Sequence, residues 1–238
     1  YGGTLNDLVG EDSKFYVSYG DVEVYVCECS SFQLEYSHSF APEISVWTNF
    51  TPDHINWHGN MENYFEAKAK IFKSPMAPTY SVLNAKDEKL NEFANVCEGV
   101  VYMFGDEVGE NCCYVKNDAI YFKSNGVEEL IIKLDDCPLI GEHNYQNVEC
   151  SVIVAKLKGL SNDKIRNSIM TFKVPEHRLE KFAQTKNTVF YNDSKATNPE
   201  ASLVAIRSFV DQDVVLIAGG RDKNTGLKEF DEACKKHI

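Results

Sequence analysis

The sequence contains no uninterrupted apolar run of about 18 residues, the length that a membrane-spanning helix needs. It has no signal peptide, and it begins with Tyr1 rather than Met, which indicates a piece of a longer chain. It also has no excess of basic residues, since 24 Lys and Arg stand against 36 Asp and Glu, for a net charge of −12. A general nucleic-acid binder needs a basic face. The sequence therefore predicts a protein that binds neither membranes nor nucleic acid.

Two motifs are also absent. The 8 cysteines include no C-x-x-C pair, which argues against a zinc site or a disulfide framework and favours reduced thiols in a cytosolic protein. No Gly-Lys dipeptide occurs, so these residues lack the P-loop, G-x-x-x-x-G-K-[ST], that cradles nucleotide phosphates. The overall amino-acid composition is ordinary for a globular protein, with 43% hydrophobic and 25% charged residues. The length of 238 residues suits one large domain or two modest ones.

Hydrophobic patterns in the first part of the chain predict alternating strands and helices. Strands are expected at 22–29, 43–50, 79–85 and 99–104, with a helix at about 61–72. Helices between successive strands imply crossover connections and therefore a largely parallel sheet. Short alternating segments between Cys112 and Leu134, separated by Asn-Asp and Ser-Asn-Gly turns, predict a small antiparallel meander at one edge.

The second part of the chain predicts a change of domain near Pro175. A helix from Gly141 and a helix capped by Ser161 precede this proline, and the residue before a proline disfavours helix. We therefore expect a first domain over 1–174 and a second α/β domain over 175–238. In the second domain the pattern predicts a helix from Pro199 between two strands, at 188–193 and 214–220.

Charged and polar residues follow two of the predicted strands. Glu28 lies at the carboxyl end of the first strand, and Asp53 and His54 follow the second. Because loops beyond the carboxyl ends of strands in an open α/β sheet converge on one crevice, Glu28 and His54 are expected to meet there. A carboxylate and an imidazole suit a divalent cation, and the carboxylate favours Mg²⁺. Lys68 lies beside the apolar stripe of the predicted helix, where a lysine is usually a surface group.

Several stretches of the sequence resemble the Mur ligases. They are SSFQLE from Ser30, N-x-T-P-D-H from Asn49, HGNMENY followed by EAK, and NDSKATNP from Asn192. Within that family the sequence is most similar to the bacterial cytoplasmic enzymes that add D-glutamate to the cell-wall precursor UDP-N-acetylmuramoyl-L-alanine. The resemblance implies a monomer that contains the family's central ATPase domain, with its largely parallel sheet, followed by the first part of a Rossmann-like C-terminal domain.

The resemblance also implies roles for individual side chains. One Mg²⁺ is implied on Glu28 and a second on His54 and Lys68, with Lys68 carbamylated by CO₂. Burial of the lysine would favour this reaction, since it lowers the pKa and leaves a neutral, nucleophilic amine. The implied contacts to ATP are Asn144, Asn147, Asp193 and Arg178, of which Arg178 reaches the transferring phosphate. The implied substrate-binding residues are Ser30, Gln33, Lys195, Thr197 and Lys223.

The reaction implied by the resemblance has two steps. ATP phosphorylates the substrate carboxylate to an acyl phosphate, which the amine of D-glutamate then attacks. Because the P-loop of such an enzyme is not among these residues, we expect this polypeptide alone to be inactive. Two alternatives stay open at this point. One is another Mur-type or folylpolyglutamate-type amino-acid ligase, and the other is a non-catalytic nucleotide-binding module that lost its P-loop.

Overall fold

A six-stranded sheet organises the first part of the chain in a computed structural model that describes residues 24–73, 78–196, 199–209, 212–220 and 227–237. The strands are β1 (Ile44–Trp47), β2 (Tyr80–Asn84), β3 (Val100–Phe104), β4 (Cys112–Lys116), β5 (Ala119–Ser124) and β6 (Val127–Lys133). They lie in sequential order, with β1 to β4 parallel and β4 to β6 antiparallel. The predicted parallel sheet with an antiparallel edge meander is confirmed.

Helices precede, connect and follow these strands. They are α1 (Ser31–Glu35), α2 (Ile55–His58), α3 (Met61–Ala69), α4 (Glu88–Phe93), α5 (Glu142–Leu157) and α6 (Asn162–Met170). A 3₁₀ turn at Lys70–Phe72 extends α3, which confirms the helix predicted at 61–72. Ser161 caps α6 through a hydrogen bond from the Lys164 N–H, as expected. Among the described residues, no helix has the length and apolarity that crossing a bilayer requires.

Both faces of the sheet are covered by hydrophobic cores. Successive side chains of a strand point to opposite faces, so Val82 and Leu83 of β2 enter different cores. The Val82 core is closed by side chains of α5 such as Ile153. The Leu83 core is closed by α3 and α4, and it contains Trp47 at the end of β1. Strands buried on both faces read as continuous apolar runs, which is why β2 and β3 were predictable.

The chain continues after α6 with a second, smaller sheet. Strands β7 (Glu180–Gln184) and β8 (Val189–Asn192) pair antiparallel, and helices α7 (Pro199–Arg207) and α8 (Lys228–His237) follow. The strand predicted at 188–193 and the helix predicted from Pro199 are confirmed. The sequence did not predict β7, because its residues are mostly exposed and form no apolar run.

Two predicted strands are absent from the structure. Residues 24–29 and 214–220 form no strand, and residues 22 and 23 of the first prediction lie outside the described residues. Val26 is 91% and Ile217 is 95% exposed. β-branched residues favour a strand only where a neighbouring strand supplies hydrogen bonds and a packing surface. The strand predictions at these two segments were wrong for that reason.

The loops after β1 and β2 are fastened together by two side chains. Asn84 Nδ2 donates to the Thr48 carbonyl oxygen at 2.8 Å, and the Phe50 N–H donates to Asp87 Oδ2 at 2.5 Å. Asp87 Oδ1 also accepts the Leu90 N–H at 3.1 Å and so caps α4. One carboxylate therefore both begins a helix and fixes the loop that leads to His54.

Replacing Asp87 by Ala is expected to lower the free energy of unfolding by about 2 kcal/mol, since a helix cap and a second hydrogen bond are lost together. Ser161→Ala is the matched control, because Ser161 only caps a helix and should cost about 1 kcal/mol. Urea unfolding followed by tryptophan fluorescence measures both losses. Equal losses in the two variants would show that the Asp87–Phe50 hydrogen bond adds nothing to stability.

Candidate functional site

The first turn of α1 is closed by a capping box. Ser30 Oγ accepts the Gln33 N–H at 3.3 Å, and Gln33 Oε1 accepts the Ser30 N–H at 2.9 Å. Ser30 is therefore the N-cap of α1. Both side chains that the resemblance assigns to substrate are engaged with each other here. The structure thus brings Ser30 and Gln33 together at the amino end of α1, and their contact with substrate stays a prediction.

A buried histidine joins α1 to α2. His58 is 6% exposed, its Nε2 lies 3.0 Å from Ser31 Oγ, and its Nδ1 lies 3.7 Å from Glu35 Oε2. Phe32 of α1 packs against the ring of His54, with 4.8 Å between the ring centroids. The SSFQLE segment and the His54 loop are therefore neighbours. No role was predicted for His58, although it lies within the HGNMENY stretch.

His54 has an uncommon backbone conformation. Its φ of 52° is in the left-handed region, which non-glycine residues visit rarely and which is frequent at functional sites. Its N–H donates to Asp53 Oδ1 at 2.8 Å, and its Nε2 lies 3.3 Å from Asp53 Oδ2. The imidazole is partly exposed. The loop after β1 thus presents the Asp53–His54 pair to solvent, next to α1.

Lys68 is half-buried between aromatic rings. Its Nζ lies 5.4 Å from the ring centroid of Tyr64 and 5.9 Å from that of Trp47. Burial lowers the pKa of the Lys68 amine, and the carboxylate of Asp53 opposes part of that shift. The His54 ring lies 6.2 Å from the same Tyr64 ring. His54 and Lys68 therefore have Tyr64 as a common neighbour. Lys68 is not the solvated surface group that its position alone suggested.

Glu28 lies on the exposed segment that was expected to be a strand. Among the described residues, no three His, Cys, Asp or Glu side chains form a group that could hold a metal. The carboxylate of Glu28, the imidazole of His54 and an oxygen carried by Lys68 are still donor types that fit Mg²⁺. His54 and Lys68 already share one neighbouring ring. Their meeting with Glu28 stays a prediction.

The amino end of α5 holds the two predicted adenine contacts. Asn144 Nδ2 donates to the Ile140 carbonyl oxygen at 2.8 Å, and Asn147 is exposed one turn later on the same face. A Cβ added to Gly141 would lie 2.5 Å from Ser208 Oγ, so the segment after α7 packs closely against the start of α5. Burial lowers the pKa of His143, and the nearby Asp193 partly opposes that shift. Asp193 is thus close to α5.

Two loops that flank the β7–β8 sheet bring further predicted residues together. The Leu179 N–H donates to Asp193 Oδ1 at 2.9 Å, and the Lys195 N–H donates to the His177 carbonyl oxygen at 3.1 Å. Arg178 lies between these anchors and is exposed. Arg178, Asp193 and Lys195 are therefore neighbours in the structure. The other two predicted substrate contacts, Thr197 and Lys223, lie outside the described residues.

Residues 2–155 match the Mur ligase middle domain, and this match covers more than half of the chain. The chain belongs to the Mur ligase family. The UDP-N-acetylmuramoylalanine--D-glutamate ligase of Thermoanaerobacter sp. (strain X514) is 42% identical over 211 residues, which are 88% of this chain and 46% of that protein. The enzyme of the same name from Clostridioides difficile (strain 630) is 37% identical over 216 residues, 90% of this chain and 48% of that protein. The chain spans about half the length of these curated relatives.

Solved Mur ligases share the fold. MurF from Acinetobacter baumannii superposes with a TM-score of 0.58 at 19% identity, covering 77% of this chain and 40% of that chain. A UDP-N-acetylmuramoyl-L-alanyl-D-glutamate--2,6-diaminopimelate ligase superposes with a TM-score of 0.59 at 18% identity, covering 88% of this chain and 45% of that chain. MurF from Thermotoga maritima, solved in complex with ADP, has a TM-score of 0.52 at 19% identity, covering 71% of this chain and 39% of that chain. The expected Mur ligase fold is confirmed.

One buried carboxyl group of this Mur ligase domain was missed by the sequence analysis. Glu149 on α5 is 2% exposed, and its Oε2 accepts the Gly105 N–H at 2.7 Å, just after β3. Burial raises the pKa of Glu149 from 4.5 to about 7, against the opposing effects of that N–H and of Lys86. The available signal was a single charged residue within the apolar stripe of α5.

Glu149 makes the stability of the domain depend on pH. Because its pKa is higher in the folded than in the unfolded chain, the folded chain binds more protons between pH 4.5 and about 7, and stability falls as pH rises through that window. Glu149→Gln, which stays neutral and still accepts the Gly105 N–H, should be about 2 kcal/mol more stable than the parent at pH 8 and no different near pH 4. Urea unfolding at a series of pH values tests this, with exposed Glu98→Gln as control. A constant difference across the series would contradict it.

Proposed function

We propose that the chain serves an ATP-dependent ligase that joins D-glutamate to UDP-N-acetylmuramoyl-L-alanine through an acyl phosphate, in the bacterial cytoplasm and as a monomer. The observation that carries the proposal is the half-buried Lys68, whose Nζ lies beside the same Tyr64 ring that neighbours the His54 ring. A chain that only binds a nucleotide has no need for a partly desolvated lysine at this place. The names of the curated relatives support the choice of amino acid and acceptor.

The residues around the six-stranded sheet are proposed to bind Mg²⁺ and the substrate carboxylate. Glu28 would hold one Mg²⁺, and His54 with carbamylated Lys68 would hold the second. When bound, these ions would offset the negative charge that gathers where phosphate meets carboxylate. Lowered pKa and partial burial keep the Lys68 amine available to CO₂. Ser30 and Gln33, on the turn packed beside the His54 loop, would contact the muramoyl substrate.

The residues of α5 and of the chain after Pro175 are proposed to bind the nucleotide and the amino acid. Asn144 and Asn147 share a helix face, and their amides carry the donors and acceptors that an adenine edge requires. Asp193 would face the ribose or Mg²⁺, and the forked guanidinium of exposed Arg178 would contact the transferring phosphate. Lys195, Thr197 and Lys223 would bind the remaining anionic groups. We place the boundary between the two domains before Pro175.

The substrate assignment is tested by the dependence of ATP cleavage on both acceptor and amino acid. In a polypeptide that carries these residues together with a P-loop, release of ADP and phosphate should require UDP-N-acetylmuramoyl-L-alanine and D-glutamate together. The 238-residue chain alone is expected to be inactive. A coupled assay compares D-glutamate with L-glutamate, L-alanine and diaminopimelate. Equal turnover with one of these competitors would assign the chain to another ligase of the family.

The metal-binding assignment is tested by removing single donors in the same active polypeptide. His54→Ala and Glu28→Gln should each lower kcat by a factor of about 100 or more, the loss typical of one electrostatic group acting on the transition state. His38→Ala is the matched control, since His38 is an exposed histidine with no assigned role. Steady-state kinetics at saturating Mg²⁺ measure the effect. Full activity in His54→Ala would remove His54 from the proposed site.

A further inference from the structure

Trp47 carries a buried indole N–H with no acceptor. It is the last residue of β1, it is 5% exposed, and within the described part of the chain its Nε1 has no hydrogen-bond partner. Buried donors without a partner are rare in native proteins, because the hydration that they lose on folding is not replaced. The orphaned N–H therefore indicates that an acceptor belongs at this place.

The surroundings of Trp47 supply rings and a cation rather than an oxygen. Four phenylalanine rings lie between 5.1 and 6.0 Å from it, namely those of Phe50, Phe65, Phe72 and Phe93. The charged neighbour is Lys68, whose Nζ is 5.9 Å from the Trp47 ring centroid and, as an ammonium, only donates hydrogen bonds. A bridging water needs two to four polar partners, which this apolar environment does not offer. The described neighbours of the Trp47 ring thus offer its N–H no acceptor oxygen.

The second tryptophan shows the arrangement that Trp47 lacks. Trp57 Nε1 donates to Glu35 Oε2 at 2.8 Å, although Trp57 is 54% exposed and water is available to it. The more deeply buried indole is therefore the one without a carboxylate. An oxygen attached to Lys68 would supply Trp47 with a partner of the same chemical type, from a neighbouring side chain.

We propose that the Trp47 Nε1–H donates a hydrogen bond to a carbamate oxygen on Lys68 and so positions that group. This inference rests on the carbamylation of Lys68 in the proposed function and names the residue that supports it. In the step, the neutral Lys68 amine attacks CO₂, an N–C bond forms, and one amine proton leaves to solvent. The product has one negative charge and two acceptor oxygens. One oxygen accepts the indole N–H, and the other stays free.

The proposed hydrogen bond to the carbamate would be strong, because the acceptor is charged and the surroundings are aromatic. An N–H···O bond to an anion is shorter and stronger than a neutral one, and a water-poor site strengthens it further. Four rings pack around Trp47, so the direction of its N–H is restricted before CO₂ binds. Trp47 is accordingly a positioning residue that acts through Lys68.

Heteronuclear NMR of the ¹⁵N-labelled 238-residue chain in ¹³C-bicarbonate tests the proposal without any assay of activity. The chain has 2 tryptophans and therefore two indole N–H cross-peaks, which Trp47→Phe assigns. A carbamate ¹³C resonance should appear, the Trp47 cross-peak should move with it, and the Trp57 cross-peak should stay in place. Lys68→Met should abolish both the resonance and the movement. Movement of the Trp47 peak by equal concentrations of acetate would overturn the proposal in favour of general anion binding.

Two tryptophan variants measure how much the hydrogen bond contributes. Trp47→Phe should raise the bicarbonate concentration that gives half-maximal carbamate formation about tenfold, which is the effect of one hydrogen bond to a charged group. Trp57→Phe is the matched control and should leave it unchanged. If Trp47→Phe fails to fold, as judged by the Trp57 cross-peak, the comparison of the parent with Lys68→Met decides.

The outcomes separate this inference from the proposed function. A carbamate that forms on Lys68 with equal affinity in Trp47→Phe, or without moving the Trp47 cross-peak, overturns the role of Trp47 and leaves the ligase proposal intact. A chain that forms no carbamate at saturating bicarbonate overturns the inference as well. In that case the dependence of ATP cleavage on D-glutamate still decides the ligase proposal independently.

Discussion

The arrangement of the candidate site depends on how one buried amide is satisfied. Asn84, at the carboxyl end of β2, is 5% exposed, and its Nδ2 donates both to the Thr48 carbonyl oxygen and to Gln146 Oε1, at 2.8 and 3.1 Å. Its Oδ1 accepts the Lys86 N–H at 2.9 Å. A buried amide that left any of these groups unpaired would be costly. The loop that carries His54 and the helix that carries Asn144 are thus held by the same side chain.

The fold was predictable where local chemistry and burial agree. Strands β2 and β3 are largely buried on both faces and mostly apolar, and α3 has helical periodicity, so the sequence pattern of each predicts its structure. The meander was predictable from its turns. Asn117 and Asp118 have φ of 49° and 56°, and Asn125 and Gly126 have 48° and 78°, the positive values that tight hairpin turns require and these residues tolerate.

Other parts of the structure depend on neighbours that a local pattern does not specify. The exposed segments 24–29 and 214–220 have strand-like composition but no pairing partner, whereas β7 is polar and gains its partner from β8. The candidate site divides in the same way. His54 and Lys68 were predicted because they lie in recognisable motifs, and the structure places both beside Tyr64. The importance of His58, Trp47 and Glu149 arises from burial and from distant contacts, which spacing along the chain does not reveal.

The left-handed conformation of His54 has a steric cost at a position that is proposed to bind a metal ion. A glycine adopts this conformation without the steric conflict that a Cβ introduces, and asparagine tolerates it better than most residues. A laboratory selection for heat resistance alone would therefore enrich glycine or asparagine at residue 54 and discard the imidazole. Histidine would persist at residue 54 only if the selection also required the activity that is proposed for its imidazole.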